Sequence, residues 1–166
     1  IEIEPMNAEF NYNLGGILRD LNRLIEAEIF TYEAININPS YADAYSNLGS
    51  IKSDLGKLDE AEINTREAIR LNPLSAESYY NLGEILTDLG KLSEAKINLL
   101  KAIELNPNFV KPYYVLSRFK SLDDNQYLDY IFSESILEHK SLEDKKDIHF
   151  ARANILHSKR NYKESA

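Results

Sequence analysis

Pro5, Pro39, Pro73 and Pro107 stand 34 residues apart without a gap. A fixed period of this length marks an array of small units, each covering the apolar face of its neighbour. The phrases before the prolines repeat too: Ala34-Ile35-Asn36-Ile37-Asn38-Pro39, Ala68-Ile69-Arg70-Leu71-Asn72-Pro73 and Ala102-Ile103-Glu104-Leu105-Asn106-Pro107. Ile1-Glu2-Ile3-Glu4-Pro5 reads as the tail of one more unit, as if the chain began inside a repeat.

Each unit reads as two helices. The first is expected from about Ala8 to Leu21, Ala42 to Leu55 and Ala76 to Leu89. The second is expected from about Leu24 to Ile37, Leu58 to Leu71 and Leu92 to Leu105. Between them sit Asn22, Gly56 and Gly90, the residue types that most readily turn left-handed after a helix. Each second helix should stop before its proline, whose ring clashes with a helical residue in front of it. Gly15, Gly49 and Gly83 recur inside the first helices, and Ala27, Ala61, Ala95, Ala34, Ala68 and Ala102 inside the second. A helical Gly costs up to ~1 kcal/mol against Ala, so its repetition implies close helix approach. Leu14, Leu48 and Leu82, with Leu24, Leu58 and Leu92, are the expected large partners of a large-into-small seam.

Tyr45, Leu48, Gly49, Gly56, Ala61, Ala68 and Pro73, and again Tyr79, Leu82, Gly83, Gly90, Ala95, Ala102 and Pro107, resemble the tetratricopeptide repeat. That resemblance implies an all-α, right-handed superhelical solenoid of antiparallel helix pairs. The expected divisions are 1–7 (tail of a preceding repeat), 8–41, 42–75 and 76–109 (three full repeats), 110–143 (a divergent fourth) and 144–166 (an incomplete fifth). The first unit departs at Asn11 and Asn22. After Phe109 the pattern decays: Ser117 replaces the Gly, and Asp123-Asp124-Asn125 breaks the helix. A second helix is expected over 126–139. A fifth unit should open near Lys146, with Ile148, Ala151, Ile155 and Leu156 as its apolar set and a turn at Asn161-Tyr162-Lys163-Glu164.

The net charge of −8 and the pI near 4.9 argue against nucleic-acid binding and adsorption to anionic lipid, both of which need a basic face. The absence of cysteine excludes disulfides, thiolate metal sites and a cysteine nucleophile. No apolar run approaches a membrane span and no secretory signal opens the chain, so a cytoplasmic protein is expected. His139, His149 and His157 fit no metal motif, and no nucleotide-binding or nucleophile signature is present. The expectation is a scaffold that is not an enzyme, with no metal and no cofactor; Leu14-Gly15-Gly16 reads as repeat packing.

The resemblance implies that the first helices line the concave side and bind a protein or extended peptide there. Asn13, Asn47 and Asn81 recur on them. A carboxamide offers an acceptor and two donors, enough to pair with a peptide's C=O and N–H together. This row is similar to the asparagine ladder in the superhelix of O-linked N-acetylglucosamine transferase. Tyr12, Tyr80 and Tyr114 add flat contact surface. Glu9, Asp43, Glu77 and Glu84, against Arg19 and Lys52, make the expected groove acidic, while Lys111 and Arg118 make its fourth unit basic. Asp20, Asp54 and Asp88 end the first helices; Arg23, Lys57 and Lys91, three residues on, are their expected ion-pair partners, with a cationic ligand as the other account.

An alternative class is a substrate-presenting arm of a larger enzyme. Residues 147–164 loosely resemble the last repeat before the catalytic domain of bacterial tetratricopeptide sulfotransferases, and glycosyltransferases carry similar arms. Self-association through uncapped ends is the third expectation, with the Ile148, Ala151 and Ile155 stripe left uncovered.

Overall fold

The structure, a computed structural model, describes residues 7–119, 125–138 and 140–164. Ile1, Ile3, Pro5, Asp123, Asp124 and His139 lie outside the described residues. Three helix pairs come first: α1 (Ala8–Asp20) with α2 (Leu24–Ile37), α3 (Ala42–Asp54) with α4 (Leu58–Leu71), and α5 (Ala76–Asp88) with α6 (Leu92–Leu105). Each pair packs antiparallel and stacks on the next, second helix against the following first helix. No strand occurs among the described residues, and none of their helices is long and apolar enough to cross a membrane.

The turns follow from local chemistry. Asn22, Gly56 and Gly90 have φ of 57°, 73° and 74°. The Gly56 N–H donates to the Ser53 carbonyl and the Lys57 N–H to the Lys52 carbonyl, both at 2.8 Å, closing the helix end in a Schellman motif. At the other end of each unit, the asparagine before proline folds back. The Oδ1 atoms of Asn38, Asn72 and Asn106 accept from the backbone N–H two residues on, at 3.1, 3.2 and 3.1 Å. These Asx turns carry the chain from one pair to the next.

The seam differs in its partners from the expected leucines. An added Cβ at Gly15, Gly49 or Gly83 would lie 2.3, 2.1 or 2.6 Å from Thr31 Oγ1, Thr65 Oγ1 or Leu99 Cγ. The large partner is therefore the residue seven positions beyond Leu24, Leu58 or Leu92, because those leucines start their helices too far from the crossing; Leu92 is half exposed. Gly16 meets nothing within 4 Å, so its expected packing role falls away.

The C-terminal third is rebuilt around tyrosines. α7 is short (Lys111–Leu116), and α8 (Asn125–Phe132) ends at Ser133, whose extended backbone breaks the expected long second helix before a 3-10 turn, Glu134–Leu137. α9 begins at Leu142 and runs to Glu164, so 161–164 is helix and not a turn. It packs directly on α7. Tyr113 is buried with its ring stacked on Tyr127 at 5.4 Å, and the Tyr127 hydroxyl donates to the Tyr113 carbonyl at 2.8 Å. Arg152 of α9 reaches back to the end of α8: Nε and Nη2 donate to the carbonyls of Ile131 and Ser133, both at 2.8 Å. Ile148, Ala151 and Ile155 are buried in this cluster, so the uncovered stripe expected there does not exist. Leu156, placed with them by sequence, is exposed instead, alongside Phe150.

Candidate functional site

The first helix of each pair, and the loops leading into it, line a continuous groove. Three adjoining cavities of about 180, 350 and 230 Å³ share Arg19, Ser50 and Asn81, and no residue of α2, α4 or α6 lines them. The 34-residue register explains this. Residues one period apart occupy equivalent places on successive first helices, so each register position becomes a row across the groove.

Tyr12, Asp43, Asn47, Glu77 and Asn81 line the N-terminal cavity. Glu77, Tyr80, Asn81, Glu84 and Lys111 line the middle one, and Asn81, Glu84 and Arg118 the third. Asn13 and Glu9 are exposed and line none of the three. Tyr114 faces a separate cavity of about 520 Å³ beside α9, with Arg118, Asn154 and His157. Sequence reasoning left out Ser46, Ser50 and Phe109, gave Arg19 no binding role, and offered Asp54 and Asp88 to a cationic ligand only as a second account, yet all line the groove. The register held the signal: Ser46 stands in the row of Tyr12 and Tyr80, and Ser50 in that of Glu84 and Arg118.

Two of the three asparagines are held from behind. Nδ2 of Asn47 donates to Thr31 Oγ1 at 3.4 Å, and Nδ2 of Asn81 to Ser46 Oγ at 3.1 Å. Each carboxamide is thereby oriented, with one N–H and the carbonyl oxygen left uncommitted. Ser46 also takes part in a hydroxyl chain with Ser78 and Ser75.

The charges sort differently from the sequence expectation in two respects. Lys52 does not face the groove. It is buried among the second helices, with Nζ 2.7 Å from Glu28 Oε1, paired also with Glu60, and 5.6 Å from the Tyr32 ring centroid. Burial disfavours its ammonium, but the hydrogen bonds to Glu28 and Glu60 outweigh that and hold its pKa above the ordinary lysine value. Nor do the helix-end aspartates take the cations three residues on. Arg23 pairs with Glu26, Lys57 with Glu28 at 3.6 Å and Lys91 with Glu62 at 2.6 Å, because these cations follow a left-handed turn that directs them to the second helices. Asp54 instead bonds Arg19 Nε of the preceding unit at 2.6 Å.

Glu84 lies at the middle of the groove. Its side chain is exposed to the groove, but the surrounding walls desolvate the carboxyl and, with Asp88 nearby, raise it above the ordinary glutamate value, while a hydrogen bond from the Tyr80 hydroxyl and the charges of Lys111 and Arg19 pull the other way. Burial, then Asp43 and Glu77, raise the Tyr12 phenol, in keeping with an acidic wall on that side.

The geometry agrees with known proteins. The family model described as "Tetratricopeptide repeat" matches residues 8–41, 42–73 and 76–109, more than half of the chain. No curated protein matches the sequence. Among solved structures, the first TPR of Spaghetti (RPAP3) bound to the HSP90 peptide SRMEEVD aligns at 22% identity and a TM-score of 0.64, covering 80% of this chain and 99% of that one. The Arabidopsis OM64 TPR domain aligns at 22% and 0.66, covering 69% and 95%. MamA aligns at 22% and 0.64, covering 98% and 82%. These likenesses establish the right-handed all-α solenoid, and with the three matched repeats the chain belongs to the tetratricopeptide-repeat family.

Proposed function

We propose that this chain is a protein-interaction module that binds an extended segment of a partner along the groove. The observation that carries the reading is the pair of oriented carboxamides, Asn47 and Asn81, each anchored by one N–H and presenting a donor and an acceptor beside the groove floor. An extended backbone offers C=O and N–H groups at a regular rise and satisfies both. Asn13, one period earlier, would extend the same row at the N-terminal edge, and Glu9 the acidic wall beside it. Tyr12 supplies rigid flanking surface and Tyr114 the surface beyond Arg118, while Tyr80, buried against Phe109, backs the groove wall. The structural neighbour that holds a peptide supports the same mode for this fold.

A peptide array probed with the whole chain, against the Asn47→Ala/Asn81→Ala variant, tests it. Binding should fall at least tenfold, which is about 1.4 kcal/mol, while helicity by circular dichroism stays unchanged. Peptide capture equal to that of the parent by a folded double variant would refute the role of the carboxamides.

A further inference from the structure

We infer that the groove selects a basic segment, with Lys or Arg side chains directed alternately to two opposed rows of carboxylates. This rests on the groove reading above and adds the chemistry of the ligand.

The rows follow from the register. Glu9, Asp43 and Glu77 occupy one position in the first turn of α1, α3 and α5; Asp20, Asp54 and Asp88 occupy one position in the last turn. Asp43 and Glu77 line one side of the groove, and Asp54 and Asp88 the other. Eleven residues of helix separate the rows, about 16 Å at 1.5 Å per residue. The asparagine row lies between them in sequence register. A backbone held there in extended form sends successive side chains to opposite sides, one toward each row. Lys and Arg are the side chains long enough, and of the right sign, to meet both.

Two further observations point to an incoming ligand. Ser50 is 9% exposed and lines all three cavities, yet its hydroxyl has no hydrogen-bond partner among the described residues and stays open to the groove. And Arg19, the cation common to the three cavities, is already taken by Asp54, so it does not offer itself to an acidic ligand. The sign changes only at the far end. Lys111 stands in the register of Glu77, and Arg118 in that of Glu84, and neither has an ion-pair partner among the described residues. A basic segment therefore fits α3 to α5, where Asp43, Glu77 and Asp88 line the groove and Asp54 is shared with Arg19, with an anionic group at its α7 end.

Fluorescence anisotropy on the whole chain tests this, with three labelled peptides of equal length alternating Lys–Ala, Gln–Ala and Glu–Ala. The Lys peptide should bind tightest, more weakly as salt rises, and the Glu peptide weakest. Glu77→Gln and Asp88→Asn should each weaken the Lys peptide by roughly two- to fivefold, the worth of an exposed ion pair. Glu33→Gln, on α2 away from the groove, should change nothing. Arg19→Ala should tighten the Lys peptide, since it frees Asp54. Equal binding of all three peptides would keep the groove reading and overturn the charge selection. Tightest binding of the Glu peptide, or weaker Lys-peptide binding in Arg19→Ala, would overturn the selection as well. A Lys peptide sensitive to Glu33→Gln but not to Glu77→Gln or Asp88→Asn would place it off the groove and overturn it. Failure of all three to bind would overturn both readings.

Discussion

Gly49→Ala and Gly16→Ala are the same substitution in two successive first helices, and the structure gives them opposite signs. In a helix interior the exchange is worth up to ~1 kcal/mol of stabilisation, from the reduced freedom of the unfolded chain and better helix propensity. At Gly16 nothing lies within 4 Å of the new methyl, so that gain should appear undiminished. At Gly49 the methyl would sit 2.1 Å from Thr65 Oγ1, 3.2 Å from the Ala61 carbonyl oxygen and 3.3 Å from Thr65 Cβ. The Thr65 hydroxyl donates to that same carbonyl at 2.9 Å in a buried site. To make room, Thr65 must rotate and lose a bond worth about 1 kcal/mol. The remaining contacts, with the Ala61 carbonyl oxygen and Thr65 Cβ, which rotation about χ1 does not move, force α3 and α4 apart, an overpacking cost of about 1–3 kcal/mol. Set against the ~1 kcal/mol gain, Gly49→Ala should destabilise by about 1–3 kcal/mol. At this chain length each kcal/mol moves the midpoint by about 2–4 °C. Thermal melts followed by circular dichroism, with Gly16→Ala as the control, measure it. Thr65→Ala in the Gly49→Ala background should recover part of the loss, because it removes the closest contact. A Gly49→Ala protein as stable as the parent would show that the seam does not require a bare backbone there.

Gly56→Val and Gly90→Val should each lower stability by about 1–2 kcal/mol in urea titrations, since a β-branched residue at φ near +73° is strained. Arg152→Ala should cost about 2–3 kcal/mol by leaving the Ile131 and Ser133 carbonyls without their charged donor, and Arg152→Lys should not restore it, because an ammonium lacks the two-pronged fork. Phe10 and Ile17 are 45% and 57% exposed on α1, whereas Ala44 and Ile51, their counterparts on α3, are fully covered by the preceding pair. We expect concentration-dependent association through that face by light scattering, abolished by Ile17→Gln; a strict monomer at high concentration would refute it.

The regular part of the fold was legible because its signals are local. The second helices begin and end at the expected residues, and all three left-handed turn positions are where Asn22, Gly56 and Gly90 imply. The Asx turns at Asn38, Asn72 and Asn106 were equally local, but the proline beside each drew attention from the asparagine. What was not legible depends on partners far apart in sequence. Lys52 shares a helix with groove residues, and only the placement of Glu28 and Glu60 shows that it points away. Arg19 read as one groove charge among several, and only its reach to Asp54 of the next unit shows that it is already paired there. Beyond Phe109 the rebuilt packing rests on Tyr113, Tyr127 and Arg152, whose contacts have no counterpart in the earlier units to read across.

Near-identical modules in one chain raise a problem of addressing: the second unit must dock on the first, and the third must not take its place. Lys52 stands in the register of Leu18 and Leu86. A third unit docked against α2 would set Leu86 opposite Glu28 and leave that carboxylate only the ammonium of Lys91, which holds the register of Lys57, in place of the two that Lys52 and Lys57 give it. A second unit docked on α6 would set Lys52 against Lys96, which holds the register of Glu28. That second arrangement is the unfavourable one, because it faces a buried ammonium with a like charge, whereas the correct neighbour offers it the Glu28 carboxylate. One lysine thus ties the second unit to the first and turns it away from the end of the third, a partial address written into otherwise interchangeable parts.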